Sequence, residues 1–217
     1  MSQRTPLGIA RVAVVYLFVA ALVWISRPTP LLVAIGLPFV VIGEAVRFWA
    51  AGHLLKSKEL AVSGPYRYTQ NPLYLGRFLI LTGFCLMALL PVPVGGFVIP
   101  ANLIVLAVSY AVFFFYYLPR KVRVEGSRLA ELHGGAWRSY FESVPVLFPR
   151  LTPHGTNVRA WDADRMKRNR EHWMLAGVTA VAVLFLIKAI VGLNPGTGPR
   201  ATVIGARSAA PRSSAIR

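Results

Sequence analysis

Five apolar runs alternate with short polar segments along the chain: Leu7 to Ile25, Leu31 to about Leu55, Tyr74 to about Val94, Phe97 to Leu118, and Trp173 to Leu193. Each is close to the ~20 residues that a helix needs to cross a bilayer. Arg11 interrupts the first run near its end, where it can snorkel to the headgroups. That run has the order of a secretory leader, but its length and the lack of a clear small-x-small cleavage site predict a retained helix. Arg27-Pro28-Thr29-Pro30 breaks the chain before run two, and Pro91 to Gly96 forms an uncharged hairpin turn between runs three and four. Between run four and run five, Val124 to His133 reads as helix, Gly134-Gly135 breaks it, and Ala136 to Ser143 reads as a second short helix. Pro145, Pro149 and Pro153 then end regular structure. The pattern predicts an all-α, multi-pass transmembrane bundle of about five spans. It forms a single domain over residues 1–193, with a disordered basic tail at 194–217.

Composition agrees. The 217 residues are 55% hydrophobic and only 15% charged, against about 25% charged in soluble domains. The net charge of +16 is compatible with nucleic acid or with an anionic bilayer surface, and runs this apolar select the bilayer. The basic cluster Arg165 to Arg170 reads as an anchor to anionic headgroups. The single cysteine, Cys85, excludes an internal disulfide. His53 has no second His or Cys at ligand spacing, so no metal site is expected.

Basic residues set the expected topology. Lys56, Lys58 and Arg67 follow run two; Arg120, Lys121, Arg123 and Arg128 follow run four; the turn between runs three and four carries none. The positive-inside rule puts both polar segments and the N-terminus in the cytoplasm, and the inner membrane is the expected location. Five spans leave Arg200, Arg207, Arg212 and Arg217 outside, against the rule: either the fifth run does not span fully or the earlier loops dominate, and the second is the expectation.

Inside run two stand Glu44 and Arg47, three apart on one helical face, able to pair with each other or to position the next segment. Phe113 to Tyr117 reads either as an interfacial belt or as the wall of an apolar channel. The segment from Lys58 to Gly76 carries two prolines, three tyrosines and several hydrogen-bonding side chains, more than a connection needs. Asn71-Pro72 also has the form of an N-cap and first helical residue. Tyrosine faces attract a cation, Asn71 can donate and accept, and Glu125 can accept from hydroxyls or an amine. It can equally pair with Arg128 on a solvated helix.

Ser63-Gly64-Pro65-Tyr66-Arg67-Tyr68-Thr69-Gln70-Asn71-Pro72-Leu73-Tyr74-Leu75-Gly76 resembles the signature of the isoprenylcysteine carboxyl methyltransferase and phospholipid methyltransferase family. The block from Glu125 to Tyr140 is similar to that family's glutamate-led C-terminal block, and the likeness covers about Gly43 to Arg150, leaving the last span outside it. Gln70 stands where the family usually has arginine, and Gly126 where a second glutamate is common. The resemblance implies an enzyme that transfers methyl from S-adenosylmethionine to a lipophilic acceptor. That acceptor would be an isoprenoid, a prenylated carboxylate or thiol, or a phospholipid amine. Carried over by position, Lys58, Glu59, Leu60, Ala61, Tyr66, Asn71, Pro72, Leu73, Tyr74 and Glu125 would line a cytoplasmic cofactor pocket. One of Arg120, Lys121 and Arg123 would hold the acceptor beside Glu125. The alternative is a non-catalytic membrane scaffold that binds lipid or a protein partner. A transporter would show paired internal symmetry, which the sequence lacks.

Overall fold

The computed structural model describes residues 17, 19–55, 59–156 and 158–192. Most of the first apolar run, Lys58 and the basic tail lie outside the described residues. The chain is mostly helical. Residues 19–25 form α1, followed by α2 (Pro30–Ala51), α3 (Pro72–Met87), a two-stranded hairpin of β1 (Pro91–Val94) and β2 (Phe97–Pro100), α4 (Ala101–Val112), α5 (Leu118–Ser143), α6 (Ala163–Arg168) and α7 (Glu171–Val191). Among the described residues, three helices are long and apolar enough to cross a membrane: Pro30–Ala51, Ala101–Ser143 and Glu171–Val191.

Around the hairpin, both helix boundaries differ from the sequence expectation, and the helix expected from Val124 begins already at Leu118. Run three ends as helix at Met87, and the last residues assigned to it enter β1. Run four begins as β2, not as helix. The cause is local: Gly95 and Gly96 take φ of 55° and 89°, so the apolar residues either side of the turn pair as antiparallel strands. The break at Gly134 is as expected. Its φ of 53° stops one helix and starts another inside α5.

The core is the antiparallel contact of α2 with α3. Buried residues of α2 fall at Val33, Gly36, Val40, Gly43, Arg47 and Ala50, and those of α3 at Gly76, Ile80, Gly83 and Met87. This alternation of three and four is the seam of a left-handed helix pair. Glycines face each other twice. A Cβ on Gly43 would lie 2.6 Å from the Gly76 carbonyl oxygen, and one on Gly83 would lie 2.6 Å from that of Gly36. Backbones this close gain their stability from dense packing, the usual means of association where lipid removes the hydrophobic drive.

Helix α7 packs on α2 and is tied at both ends. Near its C-terminus the buried Lys188 ammonium donates to the carbonyls of Val23, Trp24 and Ser26 at 2.6–2.7 Å, capping α1. At its N-terminus Glu171 pairs with Arg47. The C-terminal end of α2 is closed from the segment before α7. Asn169 Nδ2 donates to the carbonyls of Ala51 and Leu54, both at 3.0 Å, and Trp161 stacks on Phe48 at 4.9 Å.

Beyond α2, His53 is buried at 6% exposure, with Nδ1 3.1 Å from Ser63 Oγ. Burial, and then the charges of Arg165 and Arg159, hold its pKa below the usual value of 6.5. A depressed folded-state pKa means that the unfolded chain takes up the proton first. Stability linked to His53 is therefore full above about pH 6.5 and is lost as pH falls below it. The melting temperature of wild type in detergent is expected to drop more steeply from pH 7 to pH 5 than that of His53→Gln. Parallel curves would remove His53 as the cause.

Candidate functional site

The polar segment between α2 and α3 is held as a rigid piece by residues far along the chain. A short 3-10 turn spans Gly64–Arg67. The chain after α5 then runs back along it. Thr69 Oγ1 donates to the Leu147 carbonyl at 2.8 Å, Asn71 Nδ2 to that of Val146 at 2.8 Å, and Tyr140 Oη to that of Tyr66 at 2.7 Å. The Arg150 and His154 amides donate to the carbonyls of Tyr68 and Arg67 at 3.0 and 2.9 Å. The Gln70 side chain donates to the carbonyls of Phe141 and Val144, at 3.1 and 2.6 Å, and so caps the end of α5. Gln70 thus has a structural task that needs an N–H donor and no charge.

Between this piece and α5 lies a cleft of about 570 Å³, within the roughly 300–1,000 Å³ of small-molecule sites. Glu59, Leu60, Ala61, Tyr66, Asn71, Pro72, Leu73 and Tyr74 line one side, and Lys121, Glu125, Gly126, Leu129 and Trp137 the other. Leu54, Leu55, Val122, Leu132 and Phe141 add apolar wall. Among these, Lys121 is central. Its ammonium lies 4.3 Å from the centre of the Tyr74 ring, 2.6 Å from Glu125 Oε2, and in a hydrogen bond with Asn71 Oδ1. One cation therefore joins the Asn71 segment to the Glu125 segment.

Of the residues expected from sequence, Lys58 is outside the described residues. Nine others share the cleft: the eight from Glu59 to Tyr74 and Glu125. Arg120 and Arg123 are exposed and do not line it; of the three basic residues considered there, Lys121 does. Helix periodicity is the reason, since positions 120 and 123 fall on the outer face when 121 and 125 fall on the inner one. Glu125 pairs with Lys121, one turn before it. Tyr66 is buried, and burial raises the pKa of its hydroxyl far above the ordinary tyrosine range. Glu59 meets Arg159 at 2.5 Å, and that hydrogen bond holds the Glu59 carboxyl below its usual range.

Phe113 to Tyr117 presents two faces. The segment is a π-helical turn. Phe113, Phe114 and Tyr117 turn towards α3, where they pack with Tyr74 and Phe78, and Tyr117 Oη meets Tyr74 Oη at 2.9 Å. Phe115 and Tyr116 point outwards. The wider turn lets neighbouring aromatics share one face.

Arg77 and Glu171 also line the cleft, and the sequence reading gave neither of them a part in the site. Arg77 is exposed on α3, its guanidinium 5.3 Å from the centre of the Tyr74 ring. An ionisable residue one turn inside an apolar helix is a signal for Arg77. For Glu171, which precedes the last run, the partner 124 residues away carries the signal, and no local pattern reveals it.

The architecture and site define a helical membrane-type protein with a mixed polar and apolar cleft among the described residues. No protein-family model, no curated protein and no solved structure matches the chain.

Proposed function

We propose that the chain is a multi-pass membrane methyltransferase that uses S-adenosylmethionine and acts on a lipophilic acceptor. In this reading it has five spans, and the cleft faces the cytoplasm of the inner membrane. The observation that carries it is the meeting of the two polar segments in one cleft, joined by Lys121 and flanked by apolar wall. The residues fit such a ligand. The Tyr74 face already receives the Lys121 cation, so it is suited to a sulfonium. Asn71 and Glu125 supply polar atoms for ribose or the amino-acid end. Leu60, Leu73 and Trp137 supply apolar surface for adenine.

S-adenosylmethionine supplies an activated methyl group on its sulfonium. The task of this chain is alignment and exclusion of water, and orientation alone is worth roughly 7–11 kcal/mol in such reactions. The bracket of hydrogen bonds on Thr69, Gln70 and Asn71 gives the rigidity that alignment needs. Lys121, in place of Arg120 or Arg123, is the cation positioned for an acceptor anion, with Arg77 beside the same ring.

Calorimetry of the purified protein in detergent tests this. Stoichiometric S-adenosylhomocysteine binding is expected, weakened at least tenfold, or about 1.4 kcal/mol, in both Asn71→Ala and Glu125→Ala. A well-folded wild type that binds none overturns the proposal. Labelled S-adenosylmethionine with lipid extract is expected to yield a labelled lipid, lost in Tyr74→Ala.

A further inference from the structure

We propose that Glu171, from the last helix, is a ligand-contacting residue of the cleft and accepts the ammonium of the ligand's amino-acid end. This rests on the methyl-donor reading above. It extends that reading to a helix outside the segment that resembles any methyltransferase.

Glu171 stands where α7 begins, and Arg170 before it takes φ of 59°, a left-handed turn that is costly for a residue other than glycine. The Glu171 side chain lines the cleft and is nearly buried, at 10% exposure. Only one of its oxygens is committed: Oε2 pairs with Arg47, and Oε1 has no hydrogen-bond partner among the described residues. Glu171 is part of the cleft lining, and its second oxygen is left for a ligand donor.

Charge points the same way. Glu44, Arg47 and Glu171 form a buried cluster of two carboxylates and one guanidinium. The two carboxylates share a single guanidinium, and a buried carboxylate short of a partner is satisfied by a cation. Arg47 also donates to the Leu73 carbonyl at 3.2 Å, which fixes Glu171 relative to the wall formed by Asn71 to Tyr74. Arg47 is thus a positioning residue and Glu171 the contact. Lys121 and Arg77, on the Tyr74 side, are left for groups of opposite sign.

Two probes separate the ammonium from the rest of the ligand. S-adenosylhomocysteine carries the amino-acid end, and 5′-methylthioadenosine lacks it. In Glu171→Gln, S-adenosylhomocysteine is expected to bind about 10- to 100-fold more weakly, the value of a hydrogen bond to a charged group. 5′-Methylthioadenosine is expected to change less than about twofold, which also shows that the variant is folded. Glu171→Asp, which keeps the charge, is expected to fall between Gln and wild type for the first probe. Equal losses for both probes in folded Glu171→Asp and Glu171→Gln overturn the assignment alone. A wild type that binds neither probe overturns the methyl-donor reading, and the assignment with it.

Discussion

Replacing Arg47 by methionine is expected to destabilise the protein by about 3–5 kcal/mol, the usual cost of removing one member of a buried ion pair. Arg47 is 1% exposed and sits where three elements meet. It pairs with Glu171 on α7, approaches Glu44 at 3.8 Å on α2, and donates to the Leu73 carbonyl at the start of α3. Methionine fills a similar volume but leaves two buried carboxylates with no cation. The loss comes from those orphaned charges rather than from packing. The variant Glu44→Gln/Arg47→Met/Glu171→Gln is therefore expected to recover most of the stability, since neutral groups remove the unpaired charge. Denaturant unfolding in detergent, followed by tryptophan fluorescence, measures both. If Arg47→Met matches wild type, the ion cluster is not what joins α7 to the core.

Gly76→Val is the second large effect, with a loss expected at or beyond the ~1–3 kcal/mol typical of overpacking. A Cβ at Gly76 would fall 2.5 Å from the Gly43 carbonyl oxygen and against the Arg47 side chain. The obstacle is backbone, which cannot rotate away, so α2 and α3 must separate along their seam. Separation also disturbs the Arg47 cluster, and ligand binding is expected to fall with stability. Gly177→Ala is the control. Nothing lies within 4 Å of a Cβ there, and alanine in a helix interior is worth roughly 0.5–1 kcal/mol over glycine. The melting temperatures of the two variants should lie on opposite sides of wild type. Equal values would mean that the glycine contacts do not hold the pair.

Both predictions turn on features that were only half legible. The spacing of Gly36, Val40, Gly43 and Arg47 repeats in Gly76, Ile80, Gly83 and Met87, and it is visible in the sequence once the pairing is known. Without the pairing, seven-residue glycine spacing does not say which helix it meets. Glu44 and Arg47 were legible as a pair because helical neighbours at i, i+3 follow from geometry alone. Their distance of 3.8 Å is nonetheless the weaker contact, and the close partner, Glu171, lies in a helix far along the chain. Gln70 shows the converse. As a letter it is a departure from arginine; in the fold it is a donor to the end of α5.

Elements that depend on near neighbours are legible in the residues alone. Apolar length marked α2, the helix over Ala101–Ser143 and α7 as lipid-compatible, Gly134 decided the break in α5, and the Gly95-Gly96 pair decided the turn. These are outcomes of chain sterics and solvent transfer, which act over a few residues. The packing of the helices set which groups share the cleft. It selected Lys121 over Arg120 and Arg123, brought Glu171 and Arg77 to the site, and locked Asn71 to Val146. The reason is that an ion pair or a side-chain-to-backbone hydrogen bond is set by distance in space. That distance depends on how α2, α3 and α7 cross, and so on glycine contacts remote from the charges themselves.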